Sequence, residues 1–224
     1  MPPAPPGSPG PARLRTKPLL RGVSHAVAAV AAVPVALGIV GSARSRSGVV
    51  GAAVYGASLV LLFLVSAVYH RGFWAPPVRR VLGRIDHSAI FLLIAGTYTP
   101  LCLLLGPGAG YALLATVWVG AGIGILIVIA WVRIPKPLRS ALYVLLGWFI
   151  VPFLPALRAA MGGRALLLLL AGGLSYTVGA VVYAVRRPDP LPTVFGFHEV
   201  FHLLVIAAAI CQSFAVEAAV RSMG

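Results

Sequence analysis

The sequence predicts an all-α fold, a bundle of seven transmembrane helices with the N-terminus cytoplasmic and the C-terminus outside. Three observations carry this reading. Of the 224 residues, 60% are hydrophobic and 10% charged, with a mean hydropathy of +0.98; a water-soluble domain of this size would lack the polar surface to cover itself. Seven apolar runs approach the roughly 20 residues that a helix needs to cross about 30 Å of hydrocarbon. Lysine and arginine are divided unevenly between alternate connections.

The first run, residues 23–41, follows Arg21 and contains His25 and Pro34. A cleaved signal peptide is the rival reading, with Gly41-Ser42-Ala43 as a loose cleavage site, but the run is long for that purpose and is taken as a retained span. Residues 1–22 before it are rich in proline, glycine and basic side chains, and are expected to form a disordered cytoplasmic tail. The second run, 48–70, carries Ala52 and Gly56 at a spacing that allows close helix approach. In the connection 71–85, Phe73 and Trp74 accompany Arg79, Arg80 and Arg84, a composition suited to an interfacial segment among lipid headgroups.

The third run, 86–105, includes Thr97-Tyr98-Thr99-Pro100, where proline frees a carbonyl and a bend is expected. The fourth, 111–132, repeats the small-residue spacing with Gly120 and Gly124. Pro152 and Pro155 should loosen the fifth, 138–157; the sixth is 165–185. The seventh, 198–220, leaves 221–224 as a short outer tail. Short connections make sequential helices neighbours in an up-and-down bundle, with no inserted soluble domain and no internal repeat. Cys102 and Cys211 both fall inside spans and read as free, small apolar residues.

The formal net charge of +14 raises the question of nucleic acid, but the basic residues are scattered through short connections and no such partner is expected. Topology accounts for them. With the N-terminus inside, Arg13, Arg15, Lys17 and Arg21, then Arg71, Arg79, Arg80 and Arg84, then Arg133, Lys136 and Arg139, then Arg186 and Arg187 face the cytoplasm. Arg44, Arg46, Arg158, Arg164 and Arg221 face outward, so 13 of the 18 Lys and Arg are inside, as the positive-inside rule asks.

That topology brings the inner ends of the second, third and seventh spans to one leaflet, and with them Ser66, His70, Asp86, His198 and His202. Polar side chains at membrane depth are costly without shared partners, and three imidazoles with a carboxylate suit a metal ion. His198 and His202 stand four apart on one helix face, as do Ser66 and His70. His70, His198 and His202 with one open position would make a catalytic zinc site, whose bound water has a pKa near 7. Asp86 would hold that water or accept its proton, and Ser66 would contact the ion, the water or a substrate carbonyl. Taken singly, His25 and His87 read as polar tips among headgroups, and Asp86 as a helix cap or a partner of Arg84. His198-Glu199-Val200-Phe201-His202 also matches H-E-x-x-H, in which the glutamate is the base of a metalloprotease.

Ser66-Ala67-Val68-Tyr69-His70, then Arg84-Ile85-Asp86-His87-Ser88-Ala89-Ile90-Phe91 running to Gly96-Thr97-Tyr98-Thr99-Pro100, then Phe197-His198-Glu199-Val200-Phe201-His202, resemble the haemolysin III proteins. These are grouped with progestin and adiponectin receptors and, more distantly, alkaline ceramidases. The resemblance covers about residues 23–216, with Ser24-His25 fitting the first span. It implies seven helices, N-in and C-out, with zinc near the cytoplasmic side held by His70, His198 and His202, Asp86 holding the zinc-bound water, and Ser66 a nearby polar partner. Animal relatives can carry glutamine in place of Glu199, which weakens the protease role for that residue. Related chains often have histidine in place of Gln212, a position too far along the last span to join the ligands.

The leading expectation is a cell-membrane protein that hydrolyses a lipid amide or ester with zinc, its lipid substrate entering from the inner leaflet. The first alternative is a membrane-lytic or receptor-like protein with a structural zinc site, closed by Asp86 or Ser66. The second is an intramembrane metalloprotease using Glu199.

Overall fold

Backbone at membrane depth must satisfy its own N–H and C=O groups, and a helix does so internally. A computed structural model describes residues 17–131 and 134–223, and within them the only β-bridge is an isolated one between Leu191 and Phe195. Seven spans form. They are α1 Val23–Gly41, α2 Arg46–Arg71, α3 Pro76–Leu105, α4 Ala109–Ala130, a broken fifth span Lys136–Met161, α7 Gly163–Val185 and α8 Phe197–Arg221. The fifth consists of α5 Lys136–Gly147, a 3₁₀ turn Trp148–Phe153 and α6 Leu154–Met161. Pro152 falls in that turn and Pro155 in the first turn of α6, so the expected loosening takes the form of a change of helix type.

Two expectations about the ends of elements are corrected. The connection 71–85 is mostly helix: α3 opens at Pro76 and Pro77, where missing N–H groups cost nothing, and its first turns keep Val78, Arg79, Arg80 and Val81 exposed. Asp86 therefore lies ten residues, about 15 Å, inside α3 and cannot cap it; nor is Arg84 its ion-pair partner among the described residues. Residues 17–22, assigned by sequence to a disordered tail, dock against the bundle. Leu19 and Leu20 donate their N–H groups to the carbonyls of Thr193 and Val194 at 3.1 and 3.2 Å, and Lys17 Nζ donates to Gly72 O at 3.3 Å. Residues 1–16, Val132, Arg133 and Gly224 lie outside the described residues.

Helix order follows the chain for most of its length, α1 packing on α2, α2 on α3, α3 on α4 and α7 on α8. The chain then closes on itself, because α8 also touches α1, α2 and α3. Two apolar clusters result. One joins α1, α2, α3 and α8 around Tyr55, Leu59 and Val216; the other joins α3, α4, the fifth span, α7 and α8 around Phe91, Val117 and Leu157. α3 and α8 contribute to both and so form the centre, while Val30, Leu37, Leu126 and Leu167 point outward, as in a bundle solvated by lipid.

Small residues set the helix spacing. Gly56 lies against Ala36 of α1, and Gly124 against the ring of Phe91. Thr97-Tyr98-Thr99-Pro100 leaves α3 unbroken, with Thr97 and Thr99 donating to the carbonyls of Leu93 and Ala95. A Cβ placed on Gly51 would meet Pro100 Cα at 2.9 Å, backbone that has no room to yield. Gly51→Val is accordingly expected to destabilise the protein by about 1–3 kcal/mol, read as a lower melting midpoint in detergent. Gly122→Val, on an exposed face with nothing within 4 Å, should leave the midpoint unchanged.

Candidate metal centre

Gly196 caps α8, its N–H accepted by Glu199 Oε2 at 2.8 Å, and Asp189 Oδ1 accepts the N–H of Phe197 at 2.9 Å. Two of the orphan N–H groups of this helix end are thus met by carboxylates, which the helix dipole favours. The same turn projects His198 and His202 inward, both buried. His70 comes from the last turn of α2, where the short connection to α3 also brings Asp86 within reach.

One ligand atom from each of His70, His198 and His202 lies within 4.8 Å of the others. His198 Nε2 and His70 Nε2 are 3.2 Å apart, close to the roughly 3.3 Å between two nitrogens that share a tetrahedral ion at 2.0–2.1 Å. His202 is 1% exposed, and its Nδ1 is buried without any hydrogen-bond partner. A buried imidazole nitrogen without a partner is costly in an apolar bundle, and a cation shared among these three rings would offset that cost. The donor set, three imidazoles with a carboxylate nearby, is one that zinc accepts. The three residues thus form a group able to hold a metal ion.

Asp86 Oδ2 lies 3.8 Å from His70 Nε2 and 3.4 Å from His87 Nδ1. Ser66, expected beside the ion, has its hydroxyl 2.8 Å from His25 Nδ1 and also hydrogen-bonds the Asp86 carboxylate. His25 is not a headgroup residue. It is 3% exposed and stacks on His202 with ring centroids 3.7 Å apart and planes 8° from parallel. Sequence spacing could not reveal this, because α1 and α8 meet only when the bundle closes. His87 is likewise largely enclosed, its Nδ1 also near Gly83 O.

Glu199 faces away from the cluster. Its second oxygen pairs with Arg21 Nε of the docked N-terminal segment, so H-E-x-x-H supplies two candidate ligands while its glutamate ties α8 to residues 17–22. Glu199→Gln keeps an acceptor for the Gly196 N–H and loses the charge. It is expected to retain metal and any turnover while lowering the melting midpoint by about 2–8 °C, for a loss of about 1–2 kcal/mol. A base in a protease mechanism would instead be abolished by this change.

These groups occupy the polar end of a cavity of about 1360 Å³, open space at its mouth included. Arg139 and Tyr143 of α5 and Tyr183 of α7 line the same end, and sequence reading assigned none of them to the site. Arg139 Nη2 donates to the Tyr183 hydroxyl at 2.7 Å, and the Tyr143 hydroxyl donates to His87 O at 3.1 Å. Beyond them the walls become mainly apolar, with Leu93, Leu101, Ile150 and Leu169 along a path that follows α3 from Asp86 to Leu101, about 22 Å.

The family described as Haemolysin-III related matches residues 14–213. "Hemolysin-3" of Bacillus cereus is 36% identical over 203 residues, covering 88% of this chain and 89% of that protein. "Hemolysin-3 homolog" of Bacillus subtilis (strain 168) is 30% identical over 204 residues, covering 88% and 92%. "Monocyte to macrophage differentiation factor" of Homo sapiens is 29% identical over 171 residues, covering 73% and 67%. With seven helices long and apolar enough to cross a bilayer and this match over most of its length, the chain is a multi-pass integral membrane protein and belongs to the Haemolysin-III related family.

Proposed function

We propose that the protein is a zinc-dependent hydrolase of a lipid amide or ester, embedded N-in, with its substrate entering from the inner leaflet. The observation that supports this most is the placement of the histidine group and Asp86 at the polar end of one cavity that is otherwise apolar. His70, His198 and His202 would hold the ion. Zinc in such a site polarises a carbonyl and makes water a usable nucleophile near neutral pH.

The chain's own residues then divide the work. Asp86, beside His70, orients water and takes up its proton; the apolar walls hold the acyl chain and keep bulk water from the reacting bond. Arg139 and Tyr183 supply donors to polar atoms of the lipid at the same end. Ceramide-like amides come from the resemblance to ceramidases, and the cavity itself speaks only for a long apolar chain. The test is a screen of membrane lipid extracts for fatty acid released by the purified protein, with metal content measured on the same sample. Bound metal and released acid support the reading, and bound metal with no released acid from any extract overturns it.

Asp86 also favours a second reading. Its approach to His70 would let it serve as a fourth ligand, closing the site into a structural one within a lytic or receptor-like protein. The names of the two Bacillus relatives add weight to a lytic role. Lysis of red cells by wild type, unchanged when Asp86 is replaced by a residue that keeps the metal, would select it.

A further inference from the structure

At the far end of the cavity from the histidines sits one polar side chain whose chemistry nothing above uses. Gln212 of α8 is 5% exposed, lines the cavity, and donates from Nε2 to Leu169 O at 3.1 Å. Its Oε1 is buried with no partner. Turning the amide over would set Oε1 against the Leu169 carbonyl, acceptor facing acceptor, so the orientation is dictated by α7. Gly172 makes room for it: a Cβ there would meet Gln212 Nε2 at 2.7 Å.

An unpaired acceptor in an apolar interior costs about 1–3 kcal/mol. At the polar end the unpartnered buried atoms belong to His25, Arg139 and His202, whereas along the apolar stretch the aromatic donors are paired. Tyr98 donates to the carbonyls of Leu146 and Gly147, and Trp148 Nε1 donates to Thr177 Oγ1. A buried water is held well only by two to four polar partners, and the residues that line this stretch with Gln212 include the apolar Leu101, Ile150 and Leu169.

We infer that Gln212 Oε1 accepts a hydrogen bond from a hydroxyl carried partway along the acyl chain of the ligand, so that the cavity selects hydroxylated chains. The helix supplies the ruler. His202 and Gln212 are ten residues apart on α8, about 15 Å along its axis. An extended chain with bonds of about 1.52 Å and angles near 111° advances roughly 1.25 Å per carbon, which puts the recognised hydroxyl near the twelfth carbon from the reacting carbonyl. A carbonyl on the chain would be repelled at the same point, since Oε1 offers only lone pairs. This rests on the proposed function's placement of the lipid, with its carbonyl end at the histidines and its chain in the cavity, and not on the hydrolytic step.

Equilibrium binding to protein in lipid nanodiscs tests it, using tritiated octadecanoic, 12-hydroxyoctadecanoic and 2-hydroxyoctadecanoic acids with wild type and with Gln212→Met, which preserves length and removes the acceptor. Wild type is expected to bind the 12-hydroxy acid about fivefold more tightly than the plain acid, the worth of one buried hydrogen bond. The 2-hydroxy acid should show no such gain. In Gln212→Met the preference should vanish, with the plain acid bound at least as tightly as by wild type. Equal affinities in wild type, a gain shared by the 2-hydroxy acid, or a preference that survives Gln212→Met would each overturn the assignment while leaving the proposed hydrolase standing. Failure of every acid to bind wild type would remove both the assignment and the lipid-cavity reading beneath it.

Discussion

Purified His202→Ala protein is expected to carry less than about a tenth of the metal found in wild type under the same chelator wash, a weakening beyond the 10–100-fold typical of residues that only support a ligand. His202 is the member of the group with an unpartnered buried ring nitrogen. Without it, the nitrogens of His70 and His198, 3.2 Å apart, can satisfy one another by a hydrogen bond. His25→Ala separates a ligand from its support. His25 stacks on His202 and reaches Ser66, so its loss should weaken metal binding within that 10–100-fold window and leave measurable occupancy at saturating zinc. Metal analysis by mass spectrometry reads both variants. Equal metal in wild type and His202→Ala would end the site assignment.

Asp86→Ala is expected to leave the metal in place and to lower turnover by about 10²–10⁴-fold, the range for a positioned acid or base. Asp86 Oδ2 is 3.8 Å from His70 Nε2, near enough to serve a water or a substrate held by the histidines. The opposite result is equally informative. Loss of metal together with a lower melting midpoint would make Asp86 a closing ligand, and the centre a structural one. Asp86→Asn refines the comparison, since it keeps the shape and one accepting oxygen while removing the charge and the basicity. Turnover restored in Asn over Ala would show that positioning matters more than proton transfer.

Parts of the candidate site were legible before any coordinates. The i, i+4 pair His198 and His202 needs only a helix to share a face, and the count of arginines and lysines in alternate connections placed His70 and Asp86 at the same end as that pair. The group His70, His198 and His202 follows from those two steps, and in the structure these rings converge. Glu199 shows where a local pattern misleads. H-E-x-x-H specifies which residues face together only within one turn, and the direction of Glu199 was decided by Arg21, 178 residues away in sequence. Residues 17–22 were assigned to a loose tail on composition, but backbone pairing with Thr193 and Val194 and the ion pair with Glu199 hold them down.

The sequence by itself determined the class of molecule, the number of spans and the three histidines, because hydropathy, loop charge and helical periodicity are local quantities that act wherever the chain goes. Only the tertiary structure decided what surrounds them. His25 against His202, Ser66 turned toward His25, Arg139 and Tyr183 at the polar end and Gln212 at the apolar end are pairings between helices distant in sequence. Which faces meet depends on how small residues such as Gly51 and Gly56 let whole helices approach, a property of packing that no single segment encodes.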